Sequence, residues 1–215
     1  AASDVYKRQV GKTVVFCLVM MLMCSFVYPL ALTGVSQLTM KAKADGSKVD
    51  KDGNLTTDTK EAVGSALIGQ DFTEDCYFQG RVSAVNYNTY TEEQKESGEY
   101  AGVASGSYNY ANSNPELKER MEKDLEQFLK EHPGVKAEDV PAELLTASGS
   151  GLDPHISPES AEVQIPTVAK NSGLSEEEVK KIVEENTEKK TLGVFGEERV
   201  NVLGCNLDIA AAMGK

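Results

Sequence analysis

The sequence predicts an α+β domain carried on a single N-terminal transmembrane helix. Three observations lead there. Thr13 through Met40 is free of charge. Segments with helical apolar spacing and clear start signals appear after residue 114. The short strand-like runs stand apart rather than alternating with helices, as a parallel sheet would need.

The N-terminal element comes first. Val14 to Val35 contains eleven Leu, Val or Phe residues. As a helix its 22 residues span roughly 33 Å, about the hydrocarbon thickness of a bilayer. Those eleven side chains favour insertion by about 5 kcal/mol in sum, and no charge opposes them. Apolar residues surround the whole helix, which excludes an amphipathic surface helix. Pro29 removes one backbone bond, and Tyr28 suits an interfacial depth. A cleaved signal peptide is the alternative, but the run is too long for one and Ala31-Leu32-Thr33 is a poor cleavage site. The span is therefore read as retained over 13–36, after a short cytoplasmic N-terminus at 1–12. Because the chain begins at Ala1 rather than Met, that terminus is read as incomplete. Lys7, Arg8 and Lys12 precede the span while Lys41, Lys43, Lys48 and Lys51 follow it, so charge bias leaves the orientation open.

Residues 37–62 are polar, with turn signals at Asp45-Gly46 and Asp52-Gly53, and read as a juxtamembrane connector to a soluble domain at 63–215. Val63 to Phe72 reads as a short buried strand with Gln70 at its end. Residues 82–114 carry no periodicity and read as a long surface loop. Asn114 and Pro115 open a helix that places Leu117, Met121, Leu125, Phe128 and Leu129 on one face. Ser157-Pro158 marks another helix start. Ser175 and Glu178 form a capping box for a helix running to Lys190, with Val179, Ile182 and Val183 inward. The tail from Arg199 begins as a strand and ends as a short helix.

Beyond residue 40 the chain carries 19 basic against 33 acidic side chains, a net −14. That excludes a nucleic-acid partner, since phosphate needs a basic face. Ser148, Ser150, Asp153 and His155 sit together in a Gly-rich stretch and invite comparison with a tethered serine hydrolase. Residues so close in sequence rarely aim at one another, and Thr146 stands where a nucleophile elbow needs Gly. The plainer reading is a turn in which Asp153 bonds nearby amides. His132 and His155 have no partner at metal-ligand spacing. Cys17 and Cys24 lie in the span. Cys76 and Cys205 are either free thiols or, outside the cytoplasm, a disulfide, and their spacing does not decide. A phosphate-cradling loop is missing, and the Gly69-Gln70 pair alone is weak evidence for nucleotide. Without an active site, the physics describes a membrane-anchored accessory subunit or binding module.

Short motifs carry a resemblance. Tyr28-Pro29-Leu30 with Thr33-Gly34 comes first, then Gly64, Ser65, Leu67, Ile68, Gly69 and Gln70. Tyr77, Phe78, Gly80, Arg81, Ser83 and Ala84 follow, then Asn112-Ser113-Asn114-Pro115. Thr146 through Pro158 is the longest block, and Arg199-Val200-Asn201-Val202-Leu203 with Asn206-Leu207 closes the series. In this order the blocks resemble the C subunit of the bacterial potassium-transporting Kdp ATPase. Val82 departs from that family's Pro, and 86–104 is longer and more acidic than its pattern. The resemblance implies a structural motif of Gly149, Gly151, Asp153, His155 and Asn201, without catalytic or metal-binding residues. It implies partners: a phosphorylated ATPase subunit, a potassium-binding channel-like subunit, a very small fourth subunit and the lipid bilayer. It implies a plasma-membrane protein with its bulk outside the cytoplasm, acting as a catalytic chaperone that raises the ATPase subunit's affinity for ATP. Gln70 is the implied nucleotide contact. ATP lies inside and the domain outside, so an effect carried through the assembly is the expected form of that coupling.

Overall fold

The computed structural model describes residues 2–98 and 103–214. Ala1–Ser47 form one compact unit and Lys48–Lys215 the other.

The first unit is the apolar helix. Helical structure is continuous over Ser3–Thr39, longer than the 13–36 read from composition, and its most apolar stretch is fully exposed. It consists of α1 (Ala2–Leu22), a π-turn (Met23–Val27) and α2 (Tyr28–Thr39). The π-turn precedes Pro29, whose ring would clash with the carbonyl four residues back in a regular α-helix. A short α3 (Lys41–Ala44) follows.

The second unit mixes helices with two small antiparallel sheets. Residues 48–62, which composition assigns to a connector, already contribute β1 (Lys48–Val49). It pairs with β2 (Gly64–Ser65) in the register Lys48↔Ser65 and Val49↔Gly64. The strand expected over Val63–Phe72 shrinks to β2. The Ser65 hydroxyl accepts from the Leu67 amide and Ile68 bonds the Ser65 carbonyl, so the chain turns at once. Leu67 and Ile68 are therefore exposed, not buried. The long loop also holds a short α4 (Glu92–Glu96), begun by a Thr91–Gln94 capping box.

α5 (Pro115–Glu131) starts where Asn114 accepts from the Glu116 amide. Of its apolar face only Phe128 is fully buried. After α6 (Ala142–Leu145) and β3 (His155–Ile156) come α7 (Pro158–Glu162), capped by Ser157, and α8 (Ile165–Ser172). α9 (Glu176–Glu185) has the expected Ser175–Glu178 capping box. It ends at Glu185, five residues short of the expected Lys190, because Asn186 folds back on the Ile182 carbonyl and Thr187 on that of Val183. The chain then enters β4 (Thr187–Glu188), and the tail supplies β5 (Arg199–Asn201) and α10 (Val202–Ala212) as expected. The three strands lie in the order β3-β5-β4, with Val200 opposite both Ile156 and Thr187. Val200 and Ile156 point into a core with Phe78, Val168, Val179 and Ile209, where α8, α9 and α10 close over the sheet.

Candidate functional site

Several of the blocks that carry the resemblance, scattered through the Lys48–Lys215 unit, meet at one place. Phe78 to Arg81 belongs to no sheet. Two buried amides stand in for a neighbouring strand. Asn206 of α10 accepts from the Phe78 amide at 2.8 Å and donates to the Phe78 carbonyl at 2.9 Å. Gln164 does the same for Gln79, at 2.8 Å and 3.2 Å. Both side chains are at most 2% exposed, so each would be costly to bury without these bonds.

The Gly-rich block then packs along this segment. Ser148 donates its amide to the Val82 carbonyl, and its buried hydroxyl oxygen accepts from the Gly151 amide at 2.8 Å. Ser83 donates to the Gly151 carbonyl at 2.6 Å and accepts from the amides of Val85 and Tyr87. Gly151 has φ +68°, and a Cβ there would lie 2.6 Å from Val85 Cγ2 and 2.7 Å from the Gly106 carbonyl oxygen. Only glycine meets both conditions without strain. Gly149, by contrast, faces open space. The Gly69 amide bonds the Leu152 carbonyl, and a Cβ on Gly69 would lie 2.5 Å from the Asp153 carbonyl oxygen. The Gly-Gln turn is thus pressed backbone to backbone against the Gly-rich block.

A row of ionisable side chains crosses the junction. Arg81 pairs with Asp153 at 3.2 Å, and the second Asp153 oxygen accepts the His155 amide at 3.1 Å. The His155 ring lies between Asp153 (3.7 Å from Nδ1) and Glu188 (3.8 Å from Nε2). Glu188 in turn pairs with Arg199. The His155 ring, then its amide and the Arg81 guanidinium, hold the Asp153 carboxyl below the usual carboxylate range against the opposing effect of burial. Burial pushes Glu143 upward, but hydrogen bonds from Ser160 and Ser157 outweigh it and leave that carboxyl low as well. Tyr87, which donates to the Arg81 carbonyl, is pushed up to about 12 by burial and by the charge of Asp153. A depression of about 600 Å³ opens beside this row, lined by Arg81, Glu143, His155, Lys190, Glu198 and Arg199 among others.

Asn201 ties the motif to the first sheet. Its side chain accepts from the Gly204 amide, capping α10, and donates to the Ala66 carbonyl at 3.0 Å. Gln70 donates to the Val63 carbonyl at 2.9 Å, within the same turn. Of the residues singled out from sequence, Gly151, Asp153, His155 and Asn201 are thus brought together, with Gln70 in the adjoining turn and Gly149 outside. Asp153 does bond a nearby amide as expected, but its partner Arg81 comes from a block 72 residues away. Ser148 is buried and tied into the turn as an acceptor. Cys76 and Cys205 are both buried and are not joined in a disulfide, and burial pushes Cys205 up to about 12. No cluster of metal-ligating side chains occurs among the described residues. Sequence reasoning assigned no role to Arg81, Gln164 or Tyr87. The available signal for Gln164 was a Gln flanked by Val163 and Ile165.

Comparison with known proteins agrees with these blocks. A family model described as K+-transporting ATPase, c chain, matches residues 10–211. Similar proteins include the potassium-transporting ATPase KdpC subunit of Clostridium kluyveri, 55% identical over 207 residues that cover 96% of this chain and 95% of that one. The KdpC subunit of Clostridioides difficile is 54% identical, covering 92% and 94%. That of Caldanaerobacter subterraneus is 45% identical, covering 97% of each.

Proposed function

Because this chain belongs to the family of the K+-transporting ATPase c chain, we propose that it is the non-catalytic accessory subunit of a high-affinity, ATP-driven potassium uptake complex. It holds the complex together and raises the ATPase subunit's affinity for ATP by coupling through the assembly. Its partners are the ATPase subunit, the potassium-binding channel-like subunit and a very small fourth subunit. The span lies at 13–36, and the domain beyond it faces outward.

One observation carries the non-catalytic reading: the side chains of Ser148, Asp153 and Asn201 each hold segments of their own domain together. Ser148 accepts an amide, Asp153 is shared between Arg81 and the His155 amide, and Asn201 bridges two segments. A nucleophile must instead be free to reach substrate and paired to a base. The Gln70 side chain donates to the Val63 carbonyl of its own turn, which favours indirect coupling over direct contact with ATP.

The test is affinity purification of the tagged full chain from detergent-solubilised membranes of its own host. A P-type ATPase subunit is expected to accompany it, and its absence would refute the assembly role. In the purified complex, Ser148→Ala and His155→Gln should leave turnover per assembled complex within about twofold. Loss of hydrolysis with normal assembly would make this chain catalytic. For topology, Lys136→Cys places a thiol on an exposed position, whereas native Cys76 and Cys205 are buried. A membrane-impermeant maleimide should label that variant on intact cells, and labelling only after permeabilisation would reverse the orientation.

A further inference from the structure

The apolar helix is interrupted at its middle. Cys24 and Ser25 sit about 15 Å along the axis from either end of the Val14–Val35 run, at the depth where hydrocarbon is driest. There the backbone leaves the α-helical pattern. The Tyr28 amide bonds the Met23 carbonyl five residues back, so it is not given to Cys24, its α-helical partner. The next residue, Pro29, has no N–H to offer. The Cys24 carbonyl is thus without a donor at either following position, and the Ser25 carbonyl loses its α-helical donor for the same reason. Among the described residues the Ser25 hydroxyl makes no hydrogen bond either. Lipid tails cannot satisfy such groups, and water is absent at that depth.

We propose that this π-turn is a hydrogen-bonding contact for a transmembrane helix of another subunit, one that brings a side-chain amide or hydroxyl to mid-membrane depth. The inference rests on the reading of the chain as a membrane-spanning subunit. Donor supply selects the partner. Each copy of this chain presents two under-supplied carbonyls and one strong local donor, the Ser25 hydroxyl, with the Cys24 thiol a weak second. A second copy at the same depth brings the same deficit. A foreign helix carrying Asn, Gln, Ser or Thr brings donors, and its own backbone carbonyl can receive the Ser25 hydroxyl. Single-turn π-bulges recur at functional positions in helices for this kind of reason.

The experiment uses the full chain in its native membranes. Ser25→p-benzoylphenylalanine, irradiated in place, should form an adduct with another membrane subunit. An adduct with a second copy, or with lipid alone, would overturn the proposal. Pro29→Ala restores the missing N–H, lets the helix close its own bonds and leaves the span apolar. Retention of the complex through a detergent wash should then fall by roughly 3- to 15-fold. Undiminished retention would also overturn the proposal, because a merely internal irregularity would be relieved by this change. A second outcome separates the two readings: the tagged wild-type chain brings down no ATPase subunit while position 25 still joins a foreign helix. In that case the functional reading would fall and the contact would stand.

Discussion

Gly151→Val tests whether the Gly-rich block is a structural junction. At φ +68° a β-branched residue is strained by about 1–3 kcal/mol. The new Cβ would also lie 2.6 Å from Val85 Cγ2 and 2.7 Å from the Gly106 carbonyl oxygen. Part of that clash is with backbone held by the Gly106–Ser150 hydrogen bond, so relaxation costs about a further 1–3 kcal/mol. The sum, about 2–6 kcal/mol, is comparable to the stability of a small domain. With a urea dependence of about 2 kcal/mol per molar, the midpoint should drop by at least about 1 M. The assay is pulse proteolysis of the purified full chain in mild detergent, reading cleavage of the Lys48–Lys215 unit. Gly149→Val is the internal control, because nothing lies within 4 Å of its added Cβ. Its midpoint should move by well under half as much. Equal shifts for the two variants would refute the argument, since it rests wholly on the local difference between two glycines two residues apart.

Three further outcomes are expected. Asp153→Ala removes the Arg81 pair and the His155 amide bond, and should destabilise the domain by about 1–3 kcal/mol while turnover per assembled complex stays near normal. Normal assembly yield with lost hydrolysis would contradict it. Because the folded Asp153 carboxyl is held low, its contribution is present above the unfolded value near 4 and is lost as pH falls through the folded value. Urea midpoints below about pH 4 should therefore converge between wild type and Asp153→Ala. Asn206→Ala strips the Phe78 amide and carbonyl of their shared partner and should cost about 2–4 kcal/mol, whereas an Asn of merely decorative role would cost little. Burial lowers the pKa of His132, so the stability tied to its neutral form is complete above the unfolded value near 6.5 and is lost as pH falls below it. His132→Phe should have a smaller drop in urea midpoint between pH 7.5 and 5.5 than wild type, and identical slopes would rule this residue out as the cause.

Much of the fold could be read locally. The apolar helix follows from an uncharged run of bilayer length. The starts of α5, α7 and α9 follow from Asn114, Ser157 and Ser175, because a cap acts on amides two or three residues away. The order β5 then α10 follows from the alternating apolar residues that begin the tail at Arg199 and the apolar stretch that ends it. The failures also share a cause. Composition extended α9 to Lys190, but Thr187 and Glu188 are drawn into β4 by pairing with β5, whose residues lie more than ten positions downstream. An apolar decade from Val63 was read as a strand, yet its register partner β1 is only two residues long and Gly69 must press against Leu152 and Asp153. The motif divides the same way. That Asp153 would bond a neighbouring amide was legible, since the amide is two residues on. That its charge is balanced by Arg81, that Gln164 and Asn206 serve as a missing strand for residues 78–79, and that Gly151 rather than Gly149 holds the left-handed turn were not. Each depends on which distant backbone group arrives at hydrogen-bond distance, and only the assembled tertiary structure decides that.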